Sequence, residues 1–205
     1  MRVFLLTEGA IIERLKREFC IPLDKDILPA SLIYDEKGSG ILSLIYQQYI
    51  DIADSYNITI MLMTPTRRAT VERINRSIYH DKGVIKDCVE FLEDLRENYP
   101  AHKNKIFIGG LMGCKGDAYN TNEALGMSEA YKFHKLQANT STASPEDLNN
   151  NTNLQTNDFD ILINSMIELK DNNNFKILGG CCGTDNRHIE ELARRAIKDT
   201  NTDVI

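Results

Sequence analysis

Ile177-Leu178-Gly179-Gly180-Cys181-Cys182-Gly183-Thr184 is the stretch that decides how this chain is read. A short apolar run halts at two glycines, passes through two adjacent cysteines and opens a helix. That pattern describes a buried strand delivering its side chains to a turn at the strand's C-terminal end. Paired thiols on such a turn are soft sulfur donors, so the chemistry of the chain is sought there first.

Downstream, Thr184 or Asp185 can cap a helix whose Ile189, Leu192, Ala193, Ala196 and Ile197 form one apolar stripe. Glu190 and Glu191 stand four residues before Arg194 and Arg195, the spacing of helical ion pairs. Upstream, three more apolar runs read as buried strands: Val3 to Leu6, Ile58 to Met63, and Lys105 to Ile108. Each stops at a turn, respectively Thr7-Glu8-Gly9-Ala10, Thr64-Pro65-Thr66, and the glycine-rich Gly109 to Asp117 that holds Cys114 and Lys115. Helical periodicity fills the intervals, over residues 11–19, 40–55, 85–95, 122–137 and 158–170, and another helix is expected to begin near Arg67 or Arg68. Residues 21–40, with Pro22, Pro29, Gly38 and Gly40, read as a long loop at the rim. Strands alternating with helices imply a parallel α/β sheet whose functional groups collect at the strand C-terminal ends.

A chain of 205 residues with 42% hydrophobic content can bury a sizeable core in one domain. The net charge of -6 and the absence of a basic cluster argue against nucleic acid as a partner. No run approaches the ~18–20 apolar residues of a membrane span, and residues 1–10 lack the pattern of a secretory signal. The chain therefore reads as cytoplasmic, without a membrane partner. Five cysteines without framework spacing suit free thiols or metal ligands better than structural disulfides. Cys88, on an apolar helical face, reads as plain core.

Gly179 to Thr184, followed by His188-Ile189, closely resembles the last strand and helix start of the homocysteine S-methyltransferase family, which are zinc-dependent (βα)8 TIM barrels. Glu8-Gly9-Ala10 resembles that family's opening Asp-Gly-Ala. Met63 to Thr66 sits where it carries a Thr-Asn-Thr turn, and Phe107 to Lys115 resembles its third-strand glycine turn. The resemblance implies a single homocysteine-binding-like domain over residues 1–205, with Zn2+ bound by Cys181 and Cys182. It also implies homocysteine and a methyl donor as substrates, held in part by Glu8, Gly9 and Thr64. The reaction it implies is zinc-assisted methyl transfer to the homocysteine thiol, giving methionine. A metal-bound thiol stays deprotonated at neutral pH yet nucleophilic, which is why such chemistry uses soft-ligated zinc.

The chain departs from the family in two ways. No Gly-x-Asn-Cys motif, the source of the third zinc cysteine, lies between Gln137 and Gly179, so two of three ligands match and zinc binding is expected to be weakened or lost. Only about four to five βα units are legible where a closed barrel has eight, and a barrel takes about 250 residues. An incomplete TIM-barrel-like fold follows, with a deletion junction near 136–138 that opens into an Asn-rich loop over about 138–157. The alternative function is a degenerate, inactive member acting as a binding or assembly protein. An open half-barrel exposes sheet edges and so favours a homo-oligomer.

For the remaining residues the plainer readings lead. Cys114 stands at a strand end and could supply a third sulfur, although the family does not use that position. Arg67 and Arg68 could meet a carboxylate, though such pairs are usually solvated. His134 and His188 suit capping or packing better than acid-base work, and a vicinal-thiol redox role is disfavoured because adjacent cysteines bridge only with strain.

Overall fold

A computed structural model of the chain describes residues 4–111, 159–173, 177–180 and 183–198. Among the described residues four strands form one sheet: β1 (Leu5–Thr7), β2 (Thr59–Met63), β3 (Ile106–Gly109) and β4 (Ile177–Leu178). Their order is β3-β2-β1-β4 and every pairing is parallel. All four strands expected from the apolar runs are present, and the fold is α/β with a parallel sheet.

The register explains which side chains make the core. Leu6 pairs with Ile60 and with Leu178, and Ile60 pairs with Ile106, so one row of aliphatic residues crosses all four strands. The whole row is buried. Burying each such side chain is worth about 1.5–3 kcal/mol, which makes this row the principal tie between strands remote in sequence. Their neighbours along each strand, Leu5, Thr7, Met61, Phe107 and Ile177, point to the opposite face, because side chains alternate.

The described α-helices are α1 (Ile11–Arg17), α2 (Glu36–Ser55), α3 (Val71–Arg76), α4 (Val84–Glu97), α5 (Phe159–Asn173) and α6 (Asn186–Lys198). Leu6 and Ile60 share one core cluster with buried residues of α2, α4, α5 and α6. Helix α2 packs on β2 and also on α6, α5 packs on α6, and α4 packs on β3. A doubly wound sheet of this strand order would send α6, which follows β4, to the face opposite α2. The α2–α6 contact does not fit that arrangement and puts these two helices on one face of the sheet.

Helix α2 begins earlier than its periodicity suggests and takes up the end of the expected 21–40 loop. Asp35 caps it, its Oδ2 accepting the Gly38 N–H at 2.6 Å. A 3-10 helix over Pro29–Tyr34 precedes the cap. Gly38 is a tight-packing position, since a Cβ there would lie 3.0 Å from Leu32. The helix ends in a Schellman motif, with Asn57 left-handed at φ 55, Ile58 N–H donating to Ala53 O at 2.8 Å and Asn57 N–H to Asp54 O at 2.9 Å. That turn aims the chain directly into β2. The apolar residues Leu44 of α2 and Ile85 of α4 are exposed, while Leu42, Tyr46 and Ile50 of α2 and Val84 of α4 are buried. The α6 stripe is as expected, with Ile189, Leu192, Ala193 and Ala196 buried.

The helix near Arg67 begins later, at Val71, with the Thr70 hydroxyl accepting the Arg73 N–H. Pro65 and the turn hydrogen bonds from Thr66, Ala69 and Thr70 N–H hold residues 64–70 in a turn before it. The expected helix over 122–137, the deletion junction near 136–138 and the Asn-rich loop lie outside the described residues. Among the described residues no helix is long and apolar enough to cross a membrane.

Candidate functional site

A cavity of about 310 Å³ opens at the C-terminal ends of the strands. Each strand contributes to its wall: Thr7, Glu8 and Gly9 from β1, Met61, Met63 and Thr64 from β2, Leu111 after β3, and Ile177, Gly179 and Gly180 from β4. Tyr46 of α2 also lines it. The three residues expected to touch substrate, Glu8, Gly9 and Thr64, thus share one cavity with the glycines that lead to the cysteine pair.

Glu8 is buried, and both its carboxylate oxygens lie within reach of the Met63 N–H, at 3.2 and 3.1 Å. The side chain thereby extends the β1–β2 ladder by one bond beyond the paired main chain. Tyr46 holds the other side of the same residue, donating its hydroxyl to Met63 O at 2.8 Å. Burial, and then the negative charge of Glu8, push the Tyr46 phenol well above its ordinary value, so it remains a donor. An anionic group and two clamped strand ends therefore form the floor of the cavity.

Thr64 serves the frame more than the opening. Its Oγ1 accepts the Leu111 N–H at 2.9 Å and lies 2.8 Å from Thr66 Oγ1, whose own proton goes to Leu111 O at 2.7 Å. The Thr64 proton must then go to Thr66, which leaves one lone pair for any ligand. This pair of threonines ties the end of β2 to the segment after β3. Arg67 lines the cavity and is half-buried, as is Arg68, so neither stands solvated at a helix start.

The glycines around the cysteines are dictated by contact. A Cβ on Gly179 would overlap the Thr7 hydroxyl, and one on Gly180 would overlap the Thr184 side chain. A Cβ on Gly9 would stand 2.8 Å from the Tyr49 hydroxyl and 3.2 Å from Thr184 Oγ1. Two main-chain hydrogen bonds close the same junction, Gly180 N–H to Glu8 O at 3.3 Å and Ala10 N–H to Thr184 O at 3.2 Å. Gly183 is left-handed at φ 79, a conformation that favours glycine. The turns after β1 and β4 therefore fit together as a unit. Cys181, Cys182, Cys114, Lys115 and His134 lie outside the described residues. Among the described residues no cluster of three or more His, Cys, Asp or Glu is placed to hold a metal.

Asp185, of the two expected caps, is the one that caps α6. Its Oδ1 accepts the N–H groups of Arg187 at 3.0 Å and His188 at 3.4 Å, and His188 Nδ1 lies 2.9 Å from the same oxygen, where a proton on that nitrogen is donated to the carboxylate. Phe159 of α5 packs against the same imidazole, with ring centroids 4.5 Å apart. His188 is a capping and packing group, and Cys88 is fully buried core. Burial raises the Asp185 carboxyl, but hydrogen bonds from His188 and Arg187 outweigh it and hold the acid well below its usual range. Asp185→Ala is expected to cost about 1–2 kcal/mol, the range for a lost N-cap, measured by denaturant unfolding. A depressed acid stabilises the fold above its unfolded value of about 3.9 and loses that contribution as pH falls below it. Asp185→Asn, which keeps the acceptor, should flatten that acid limb while retaining most of the stability at pH 7.

Tyr46, Thr66 and the Thr7–Gly179 contact are contributors that sequence reading misses. Tyr46 looks like one more helical aromatic, and only the register across β1 and β4 brings Thr7 to Gly179.

Residues 140–196 match the family model described as Homocysteine S-methyltransferase, which bears out the resemblance carried by the cysteine motif. No curated protein and no solved structure matches the chain.

Proposed function

We propose, from the homocysteine S-methyltransferase match over residues 140–196, that this chain transfers a methyl group to the sulfur of homocysteine at the cavity between β1, β2 and β4. The observation that carries the proposal is the junction at which the Gly179-Gly180 turn, inside the matched segment, docks on Glu8 at the cavity wall. The matched segment begins just C-terminal of the proposed junction near 136–138, as expected if residues 1–137 and the remainder are two parts of one shortened domain.

Glu8 is the group that receives the substrate's ammonium. The Met63 N–H holds its carboxylate in place at the cavity wall, where the negative charge attracts a cationic donor. Met61, Met63, Ile177 and Leu111 supply an apolar and polarisable wall that takes up the methylene chain and excludes water from the reacting sulfur.

Cys181 and Cys182 are the residues that would hold zinc. They are soft donors suited to it, and Gly180, which precedes them in the sequence, lines the cavity. Zinc bound there would keep a coordinated thiol deprotonated at neutral pH. The homocysteine sulfur forms its new bond to the methyl carbon as the donor departs with the electron pair of the old one. The thiol proton passes to solvent.

The test is methyl transfer to homocysteine from a panel of methylated donors, read as methionine formed. Glu8→Ala is expected to raise KM for homocysteine at least about tenfold, the size of one lost charge-assisted hydrogen bond, with Glu8→Gln intermediate. Failure to form methionine from any donor with folded, zinc-loaded protein would overturn the proposal.

A further inference from the structure

Of the described residues that line the cavity, three carry a charge: Glu8, Glu13 and Arg67. Glu13 is engaged within α1, where its Oε2 accepts the Arg17 Nε–H at 2.6 Å. Glu8, on the turn after β1, and Arg67, on the turn after β2, therefore bring an anion and a cation to one cavity from neighbouring strands. The bond from Met63 N–H to the Glu8 carboxylate ties those two strand ends together.

The backbone around Arg67 is fixed. Thr66 N–H donates to Thr64 O at 2.7 Å, Ala69 N–H to Thr66 O at 2.9 Å, and the Thr66 hydroxyl to Leu111 O at 2.7 Å. Pro65, Thr66 and Ala69 are buried, while Arg67 is half-buried at the cavity wall. A guanidinium on so constrained a turn loses little freedom on binding, and its planar fork matches a carboxylate through two parallel hydrogen bonds. An amino acid that enters an apolar cavity gives up the hydration of both its charged groups, and pairing each with an opposite charge offsets that loss.

We infer, on the reading that homocysteine is the substrate, that Arg67 receives its α-carboxylate while Glu8 receives its ammonium. The sheet order β2-β1-β4 then orients the molecule. Its carboxylate lies at the turn after β2, its ammonium at the turn after β1, and its side chain runs toward Gly179 and Gly180 after β4. Arg67 is thereby the residue that selects an amino-acid thiol over a simple aminothiol.

Calorimetric binding to the full chain, with no methyl donor present, tests this apart from turnover and excludes a donor carboxylate as the source. L-Homocysteine is compared with aminopropanethiol, the same molecule without its carboxylate. The parent should bind homocysteine at least about tenfold more tightly, the size of one charge-assisted pair. Arg67→Ala should bind the two thiols alike, with its affinity for aminopropanethiol that of the parent. Arg67→Lys, which keeps the charge but not the fork, should show a reduced preference, and it carries the test if the alanine variant does not fold by denaturant unfolding. A parent that binds neither thiol or both equally, a folded Arg67→Ala protein that keeps the parent's preference or loses both thiols together, or an Arg67→Lys protein with the parent's full preference would each overturn the inference. The expected binding pattern without methionine formed from any donor would uphold Arg67 as the carboxylate partner and remove the transfer reaction instead.

Discussion

Cys181→Ser is expected to abolish most methionine formation, with a loss of at least about 100-fold in kcat/KM and a parallel loss of bound zinc. Even outer-shell partners of a metal ligand cost about 10–100-fold when removed, and a direct sulfur ligand is worth more. Serine preserves the shape of the turn but replaces a soft, acidic thiol by a hydroxyl that does not ionise at neutral pH. With two sulfur donors in this stretch, removing one leaves a site that does not outcompete water for the metal, and Cys182→Ser should behave alike. Zinc content by elemental analysis and activity on the same preparation separate two outcomes. Retained zinc with lost activity would give Cys181 a role other than metal binding. Retained zinc and retained activity would remove the cysteine pair from the proposed mechanism.

Gly179→Ala is the second large effect, and it acts on the fold. The added methyl would overlap the Thr7 hydroxyl and stand 2.8 Å from Thr7 Cβ and 3.3 Å from the Thr7 carbonyl carbon. Because the position of Thr7 Cβ is fixed by the backbone, a rotamer change does not relieve the 2.8 Å contact, and β4 must move away from β1. The pairing of Leu6 with Leu178 sits beside it, so the displacement strains the central aliphatic row. A cost of about 3 kcal/mol is expected, the upper part of the usual range for overpacking. For a domain of this size that lowers Tm by about 6–12 °C. Thr7→Gly in the same chain removes the conflicting side chain, so the two substitutions should be strongly non-additive in a double-mutant cycle. A Gly179→Ala protein as stable as its parent would show that the turn after β4 does not dock on β1 as described. The same comparison bears on the cavity, because a displaced β4 carries Gly180 away from Glu8.

The parts legible in sequence are those set by neighbours along the chain. The α6 stripe was readable because four buried residues recur at helical spacing on a strongly polar background, and its ion pairs are local too, Glu191 reaching Arg194 and Arg195. All four strands were readable as short apolar runs closed by turn residues. The start of α2 was not, since Gly38 and Gly40 look like breakers until the Asp35 cap and the packing of Gly38 on Leu32 are seen. Half the detail of the site was hidden for a similar reason. Thr64 was named for its place in a turn, but its hydroxyl is engaged by Thr66 and by Leu111, 47 residues away. Glu8 was named for a motif, and its link to Met63 across 55 residues of sequence is visible only in three dimensions.

By itself, then, the sequence determined the parallel α/β class, the strands and the helical faces, and the cysteine turn that carries the family match over residues 140–196. These follow from periodicity and from backbone preferences that act within a few residues. Only the tertiary structure decided that β4 pairs with β1, that α2 and α6 lie on one face of the sheet, and that Glu8, Thr64 and Gly180 meet at one cavity. The reason is physical: a parallel strand finds its partner through a crossover of many residues, and no local pattern encodes which edge it will join.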